Sequence, residues 1–325
     1  MRNGSGVLIA VIARRPGFEA RLPADRFKLV TAVAAFAIPA LVLLILILIG
    51  GKSWPAITHF GPGFLISRQW DPNRLQFGAL PFIWGTLATS AIALLLAIPI
   101  GVGVALFLAE QGAARIRGAI GIGVELLAAI PSVVYGIWGL YILAPWLLLH
   151  VSQPVSKSLG WLAPFMGPTN QFSVFTASIV LAVMVLPTMA SVSREVIKAV
   201  PSNLREASFA LGATWWETTW EVILVVARPG ILGATVLALG RALGETIAVT
   251  MTIGNATNVP TPLFAPAYSI ASLIANEFTD AQGQGVLYPA AILELALVLM
   301  VITLLVNFLA LRLVRRVSRD GAPAR

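Results

Sequence analysis

Arg241 and Glu245 are the residues of this sequence whose type and spacing could do chemistry. They stand four residues apart in Ala-Leu-Gly-Arg-Ala-Leu-Gly-Glu-Thr, within a stretch from about 231 to 253 that is otherwise apolar or small. A full charge in hydrocarbon costs at least about 2.5 kcal/mol, so such side chains persist mainly where they face a protein interior or an aqueous path. The pair indicates either a passage for something charged or an ion pair that holds helices together.

The composition indicates the class of protein in which this pair lies. With 58% hydrophobic residues, 11% charged residues and a mean hydropathy of +0.88 over 325 positions, the chain has too little polar surface for a soluble globule. It is predicted to be an all-α integral membrane protein. The absence of cysteine excludes disulfides and a cysteine nucleophile, and two histidines in predicted loops do not make a metal site.

The membrane topology follows from apolar runs and from the placement of positive charge. Seventeen of the 22 Lys and Arg residues fall inside if the N-terminus is cytoplasmic, against four outside. Positive residues concentrate in cytoplasmic segments, so both termini are predicted to be cytoplasmic, with a segment 1–28, a membrane domain 29–315 and a tail 316–325. The predicted spans are 29–50, 79–108, 118–148, 172–193, 229–253 and 288–312.

The loop between the fourth and fifth spans carries strong helix-boundary signals. Asn203 followed by Glu206 and Thr214 followed by Glu217 have the form of two capping boxes, and Gly212 between them suits a left-handed helix end. The segment 203–222 therefore predicts two short helices joined by a sharp turn. Its large apolar side chains exceed what a solvated connector needs and predict a protein partner: Phe209, Leu211, Trp215, Trp216 and Trp220.

No motif in the chain predicts catalysis or nucleotide binding. Gly51-Lys52-Ser53 looks like the end of a phosphate-binding loop, but Leu46 stands where that loop needs glycine, and the preceding segment is a predicted span. If the protein uses ATP, another subunit must bind and hydrolyse it. The chain itself is predicted to be no enzyme and to bind no cofactor.

The 203–222 loop resembles the Glu-Ala-Ala loop of bacterial ABC-importer permeases. The match consists of Glu206-Ala207-Ser208, with Gly212 four residues later, and departs from the family pattern at Ser208, which is usually Ala, and at Val225, which is usually Pro. In that family the loop forms a coupling helix that seats on the ATPase subunit. The resemblance implies an ATPase-coupling role for Glu206, Ala207, Gly212, Trp215 and Trp216.

Four further runs are similar, in order and spacing, to the PstC-type permeases of bacterial phosphate ABC importers: 77–86, 125–139, 239–246 and 275–278. The resemblance extends from about residue 77 to 315. It implies the MetI-like permease fold in the bacterial inner membrane and import of inorganic phosphate by alternating access. It also implies partners: a PstA-like sister permease, two PstB-like ATPases that use ATP and Mg on the cytoplasmic face, and a PstS-like periplasmic phosphate-binding protein.

Under this resemblance Arg241 becomes the expected translocation contact. Its planar guanidinium suits bidentate contact with a phosphate oxyanion. Glu245, expected on the same helical face, would neutralise Arg241 until phosphate competes for it. Gly240 and Gly244 would let another helix approach. A permanently paired Arg241 and Glu245 that only fixes packing is the alternative.

Two more carboxylates fall in or near predicted spans. Glu125 opens the run 125–139, and Glu294 lies within the sixth span. An excess of acid around an anion path would repel the anion, so both are expected to be structural groups, protonated or paired across helices, rather than phosphate contacts.

Other functions fit the same residues. The cargo could be sulfate or another oxyanion, or the chain could be the PstA-side subunit. A non-transporting membrane scaffold or sensor, whose loop recruits a cytoplasmic partner, is the rival class.

Overall fold

A computed structural model of the protein describes residues 24–110, 114–158, 161, 163–257, 259 and 262–320. These residues are almost entirely helical, and within them the only β-bridges are isolated, Asp71 with Gln76 and Gly254 with Ala267. Six helices are long and apolar enough to cross a membrane. The prediction of an all-α protein with six spans is confirmed.

The helices follow one another along the chain as α1 (Ala24–Phe60), α2 (Gly63–Ile66), α3 (Leu80–Glu110), α4 (Ala114–Ala129), α5 (Ser132–Ser158), α6 (Ala163–Met166), α7 (Val174–Lys198), α8 (Ser202–Ala210), α9 (Trp215–Leu243), α10 (Ile247–Thr252), α11 (Ile270–Ala281) and α12 (Leu287–Asp320). The membrane-length helices are α1, α3, α5, α7, α9 and α12. Wider π-helical turns interrupt α5 at Gly139–Leu143 and Leu148–Ser152, and α9 at Thr218–Ile223. Such turns accommodate an extra residue without ending a helix.

The chain divides into two compact units, Met1–Leu48 and Ile49–Arg325. The described part of the first unit is the N-terminal portion of α1, and its apolar side chains are exposed. The remaining helices and the sites described below belong to the second unit. Most of the predicted N-terminal segment 1–28 lies outside the described residues, as does the end of the predicted tail 316–325.

The third membrane helix differs from the predicted span 118–148. The structure divides that region into α4, which ends at Ala129, and α5, which begins at Ser132 after Pro131. Proline cannot donate a backbone hydrogen bond and disfavours helical backbone in the residue before it, so Pro131 starts a new helix. Pro187, by contrast, lies inside α7, which continues through it without a break.

The fifth span also differs from the predicted 229–253. Helix α9 begins at Trp215, inside the predicted loop, and ends at Leu243. Residues 244–246 are not helical, and α10 begins at Ile247. One helix therefore joins the loop to Arg241, and a second, short helix follows a break in the middle of the apolar stretch.

Helix α7 forms the centre of the second unit. About two thirds of its most apolar stretch (67%) is buried, compared with 33% or less for the other membrane-length helices. It packs against α3, α4, α9 and α10. The helices that carry the candidate site therefore rest on one shared central helix.

The helical spacing of Ile270, Leu273, Ile274 and Phe278 predicts a short amphipathic helix in the loop 255–287, and α11 is that helix. It is held to α3 at two adjacent residues: Thr86 Oγ1 accepts the backbone N–H of Ile270 at 2.9 Å, and Gly85 lies against the backbone oxygen of Tyr268. Any side chain at Gly85 would collide with that oxygen. The run 77–86 therefore contains the residues that seat α11.

A cluster of aromatic residues also holds α11 in place. Glu277 accepts hydrogen bonds from Trp70 Nε1 at 2.9 Å and from the Tyr288 hydroxyl at 2.7 Å. The Tyr268 hydroxyl lies 3.5 Å from the second oxygen of Glu277 and accepts from Asn276 at 3.0 Å. Burial raises the pKa of Tyr268 to about 12, so the hydroxyl remains protonated at neutral pH. Asn276 and Glu277 belong to the run 275–278 that resembles the permease family, and this network gives both side chains a structural role.

Candidate functional site

The candidate site is built around the break between α9 and α10. Helix α9 ends with Leu243, Gly244 caps it with φ −93° and ψ −1°, and Thr246 precedes the first turn of α10. No proline causes the break, since the sequence there is Gly-Glu-Thr. Non-helical backbone at membrane depth is tolerated where it is buried in protein or lines an aqueous cavity. The break therefore indicates an interior path or a subunit contact at this position.

Arg241 lies in the last turn of α9, immediately before the break. Its side chain is exposed on the isolated chain, and Nη1 lies 3.4 Å from Thr188 Oγ1 on α7. The helix ends two residues further on, at Leu243, so Arg241 lies at the C-terminal end of α9. A guanidinium at a helix C-terminus is stabilised by the helix dipole.

Glu245 does not take the predicted place opposite Arg241. Because α9 ends at Leu243, the two residues do not share one helical face, and no ion pair joins them in the part of the chain that the structure describes. Glu245 Oε1 instead lies 3.4 Å from the backbone N–H of Ala248, near the start of α10. The predicted i, i+4 pair is wrong, and Glu245 is placed to cap α10.

The broken segment is held in place by close packing against α5. Added Cβ atoms show how close the helices are: at Gly136 one would lie 2.6 Å from Met251 Sδ, and at Gly139 one would lie 2.9 Å from Thr252 Cγ2. Both glycines belong to the run 125–139. They let α10 lie directly on α5, which fixes the position of the break and hence of Glu245.

Gly240 and Gly244 were predicted to allow the approach of another helix. Within the described chain, a Cβ at Gly240 would come no nearer than 4.0 Å to Asn307 of α12, and one at Gly244 would meet only the Gly240 oxygen of its own helix. Gly244 is exposed. The small-residue face beside Arg241 therefore remains open on the isolated chain.

The two further carboxylates occupy different surroundings. Glu294 of α12 is only 6% exposed, lies in an apolar cleft of 630 Å³, and its Oε2 has no hydrogen-bond partner in the described chain. Glu125 is exposed on α4 and lines a pocket that also contains Arg117 and Arg194. Neither carboxylate lies on the segment that holds Arg241.

The loop 203–222, called the coupling loop below, has the predicted turn and one of the two predicted capping boxes. Gly212 has φ +86°, a left-handed conformation that favours glycine. Thr214 Oγ1 accepts the Glu217 N–H at 3.3 Å, while Glu217 Oε2 accepts the Thr214 N–H at 2.7 Å. Helix α8 begins at Ser202 after Pro201, so Asn203 lies inside the helix and is not its N-cap, contrary to prediction.

The loop exposes the side chains that were expected to meet a partner. Leu211 is 90% exposed, and Glu206, Ala207 and Trp216 are also exposed. Trp215, in contrast, is half-buried. It lines a cleft of 580 Å³ against α3, beside Pro99. Ser208, which departs from the family pattern, lies 2.9 Å from Thr218 Oγ1 and ties α8 to the start of α9.

One ion pair of the coupling loop is not predicted by the sequence. Arg205 of α8 lies 2.6 Å from Glu110 at the end of α3, and the two side chains are 20% and 11% exposed. The same guanidinium donates to the backbone oxygens of Val200 at 2.8 Å and Ile197 at 3.1 Å. Arg205 therefore ties the coupling loop to the ends of α3 and α7. The two partners are 95 residues apart, so no local pattern could reveal the pair.

Comparison with known families and proteins gives consistent matches. A family described as "Binding-protein-dependent transport system inner membrane component" matches residues 98–319. The "Phosphate transport system permease protein PstC" of Mesorhizobium japonicum is 45% identical over 310 residues, covering 91% of this chain and 94% of the relative. The protein of the same name from Haemophilus influenzae is 43% identical over 90% of this chain and 93% of the relative. A "Probable phosphate transport system permease protein PstC" of Methanocaldococcus jannaschii is 36% identical, covering 90% and 94%.

Solved structures show the same fold at low sequence identity. A chain of a bacterial alginate ABC transporter, in complex with its alginate-bound periplasmic protein, superposes with a TM-score of 0.57 at 19% identity, covering 90% of this chain and 96% of that one. A chain of the MetNI methionine ABC transporter, in an inward-facing conformation, superposes with a TM-score of 0.53 at 20% identity, covering 72% and 94%. The arrangement of helices is thus that of ABC-transporter permeases.

Proposed function

This chain belongs to the binding-protein-dependent transport system inner membrane components, within them to the PstC phosphate permeases, and on that premise we propose how it moves phosphate. The chain is the membrane-spanning permease subunit of an ABC phosphate importer. It supplies the path across the inner membrane and is not the subunit that hydrolyses ATP. The proposed path runs beside Arg241 at the break between α9 and α10.

The observation that carries this proposal is the continuity of α9. The helix starts at Trp215 within the coupling loop and reaches Arg241 in its last turn, a distance of about 40 Å at 1.5 Å per residue. A displacement imposed on the loop is therefore transmitted along one helix to the guanidinium. No separate relay of side chains is required.

Arg241 then acts as the phosphate contact. Its exposed guanidinium presents planar donors that match two phosphate oxygens. Since Glu245 is placed at the start of α10 and not on Arg241, phosphate need not displace an internal carboxylate. The predicted competition with Glu245 is replaced by a simpler step, in which phosphate meets a guanidinium that is already available on this chain.

The partners complete the cycle that we propose. A PstA-like sister permease covers the open face at Gly240 and Gly244. Two PstB-like ATPases, which hold ATP and Mg, seat on the exposed loop residues Glu206, Ala207 and Leu211. A PstS-like binding protein delivers phosphate at the opposite face, and both termini of this chain lie in the cytoplasm. The concentration of Lys and Arg at the predicted inner segments supports this orientation.

Uptake of labelled phosphate by vesicles that contain the whole transporter tests the proposal. Arg241→Gln and Arg241→Lys are each expected to abolish uptake while the complex still assembles. Arg228→Gln, on the exposed surface of the same helix, is the matched control and should transport normally. Uptake that survives either change at Arg241 would exclude it as the contact.

The same vesicles separate the remaining alternatives. Labelled sulfate should not be transported, and excess sulfate should not compete with phosphate. Transport of sulfate at a comparable rate would make the cargo another oxyanion. A scaffold or sensor, in contrast, would transport neither ion and would tolerate Arg241→Met because an apolar residue can replace a structural charge.

A further inference from the structure

A second group of positive charges lies apart from Arg241, in a pocket between α4 and α7. The pocket has a volume of 390 Å³ and is lined by Arg117, Arg194 and Lys198 together with Glu125. These side chains come together because α4 packs on α7 near the end of each helix that is rich in basic residues. Three cations face one carboxylate in this space.

The cations of the pocket are not all neutralised within the chain. Lys198 has an ion pair with Glu195 at 3.6 Å, on the exposed side of α7. Arg194 has no such pair in the described chain, and its buried Nε lacks a hydrogen-bond partner. The charge of Arg194 is therefore not neutralised by an ion pair within the described chain, and an anion in front of its terminal nitrogens would stabilise it.

The shape of the pocket also suits an anion. Gly121 lines it, and a Cβ at that position would lie 4.0 Å from Arg194 Nη1, so the absence of a side chain leaves room in front of the guanidinium. Outside the pocket, α4 exposes Ile116 and Leu126. An acyl chain could lie along this apolar face while its headgroup enters the pocket.

We propose that the pocket of Arg117, Arg194 and Lys198 binds a phosphate group. Arginine pairs offer parallel donors to phosphate oxygens, and basic pockets between membrane helices on the cytoplasmic side bind anionic headgroups. Two sources have this chemistry: the headgroup of an anionic phospholipid and inorganic phosphate. The site goes beyond the transport path at Arg241, because no residue is common to both.

The test measures binding to the purified full-length chain in two arms. In the first arm, native mass spectrometry compares dimyristoyl phosphatidylglycerol with dimyristoyl phosphatidylcholine. In the second arm, inorganic phosphate is titrated into the chain reconstituted in phosphatidylcholine alone, with thermal protection as the readout. Arg194→Gln should weaken binding about tenfold in the arm that holds the true ligand, a loss of one charged contact. Arg115→Gln removes an equal charge from α4 outside the pocket and should leave binding unchanged.

The outcomes separate the sources and the two sites. If Arg194→Gln weakens binding in the lipid arm, the ligand is a phospholipid headgroup. If it weakens binding in the phosphate arm, the ligand is inorganic phosphate. Glu125→Gln should tighten binding in the same arm, because it removes the single carboxylate of the pocket, and this keeps the test decisive if Arg194→Gln fails to fold. Protection by phosphate that is lost only in Arg241→Gln belongs to the transport path. Binding that is unaffected by both Arg194→Gln and Glu125→Gln overturns the proposal.

Discussion

At the scale of single residues, the surroundings of a charged group decide its role more than its position in the sequence. Arg241 and Glu245 are four residues apart, but α9 ends between them. Arg241 therefore contacts Thr188, and Glu245 contacts the start of α10. Glu294 is buried among apolar side chains, whereas Glu125 faces cations. Removing the charge is therefore expected to have a different effect at each of these residues.

Glu245 is expected to act through its oxygen and not through its charge. Glu245→Gln keeps an acceptor for the Ala248 N–H and should retain assembly and most phosphate uptake. Glu245→Leu removes that acceptor and should cost about 1 kcal/mol, the typical value of a helix cap. Thermal unfolding and vesicle uptake of both variants check this. Complete loss of uptake in Glu245→Gln, with unchanged thermal stability, would show that transport requires the negative charge of Glu245.

Glu294 is expected to destabilise the isolated chain. Its buried oxygen has no hydrogen-bond partner in the described residues, and burying such a group costs about 1–3 kcal/mol. Glu294→Leu should therefore raise the Tm of the detergent-purified chain by a few degrees, while Glu294→Gln, which remains polar, should not. A lower Tm for Glu294→Leu in the assembled transporter, but not in the isolated chain, would reveal a partner on another subunit.

At the scale of elements, close contacts between helices explain why particular small residues occur in the runs that resemble the family. Gly85 meets the backbone of Tyr268, and Gly136 and Gly139 meet α10 and α7. These contacts hold α11 close to α3 and the broken helix close to α5. The glycines are thus packing residues of the site.

A methyl group at Gly85 tests this packing. Gly85→Ala forces Cβ into the backbone oxygen of Tyr268, which cannot rotate away, and should cost about 1–3 kcal/mol of stability as overpacking does. Gly103→Ala on the same helix meets nothing within 4 Å and should be neutral or slightly stabilising. The Tm of the two variants should differ by several degrees. Equal values would show that α11 can move away from α3 at little cost.

The contact of Arg205 with Glu110 is expected to couple the loop to the membrane helices. Removing one member leaves the other charge largely buried and should cost about 3 kcal/mol. Arg205→Gln should also reduce the phosphate transported per ATP hydrolysed, because the loop can then move without α3 and α7. Arg205→Lys, which keeps the charge, should recover part of that ratio, and Arg315→Gln should not change it. A fall in stability with an unchanged ratio would make the contact purely structural.

At the scale of the whole molecule, the sequence predicts what is local and misses what depends on distant segments. Six apolar helices and the box of Thr214 and Glu217 follow from runs and spacings of a few residues, and the structure contains them. The break after Leu243 contains no proline and lies inside an apolar run, and the packing of α10 on α5 that accompanies it joins segments far apart in the chain. The pair of Arg205 and Glu110 and the basic pocket likewise need the fold to bring separate helices together.

The last prediction concerns Gly212 and the docking of the ATPase on the coupling loop. Gly212 has φ +86°, and a Cβ there would meet nothing within 4 Å, so Gly212→Val introduces backbone strain of about 1–2 kcal/mol without a collision. The chain should still insert, but α8 and the start of α9 can no longer keep their angle. Co-purification of the ATPase with this variant should fail.

A matched control keeps that loss specific to the loop. Gly285 also has a left-handed backbone, φ +78°, and a Cβ there also meets nothing within 4 Å, but it precedes α12, far along the chain from the coupling loop. Gly285→Val carries the same strain and should retain the ATPase. If both variants lose it, general destabilisation is the cause. If Gly212→Val keeps the ATPase and transports phosphate, the angle between the two helices does not determine docking, and the exposed side chains Glu206 and Leu211 must hold the ATPase by themselves.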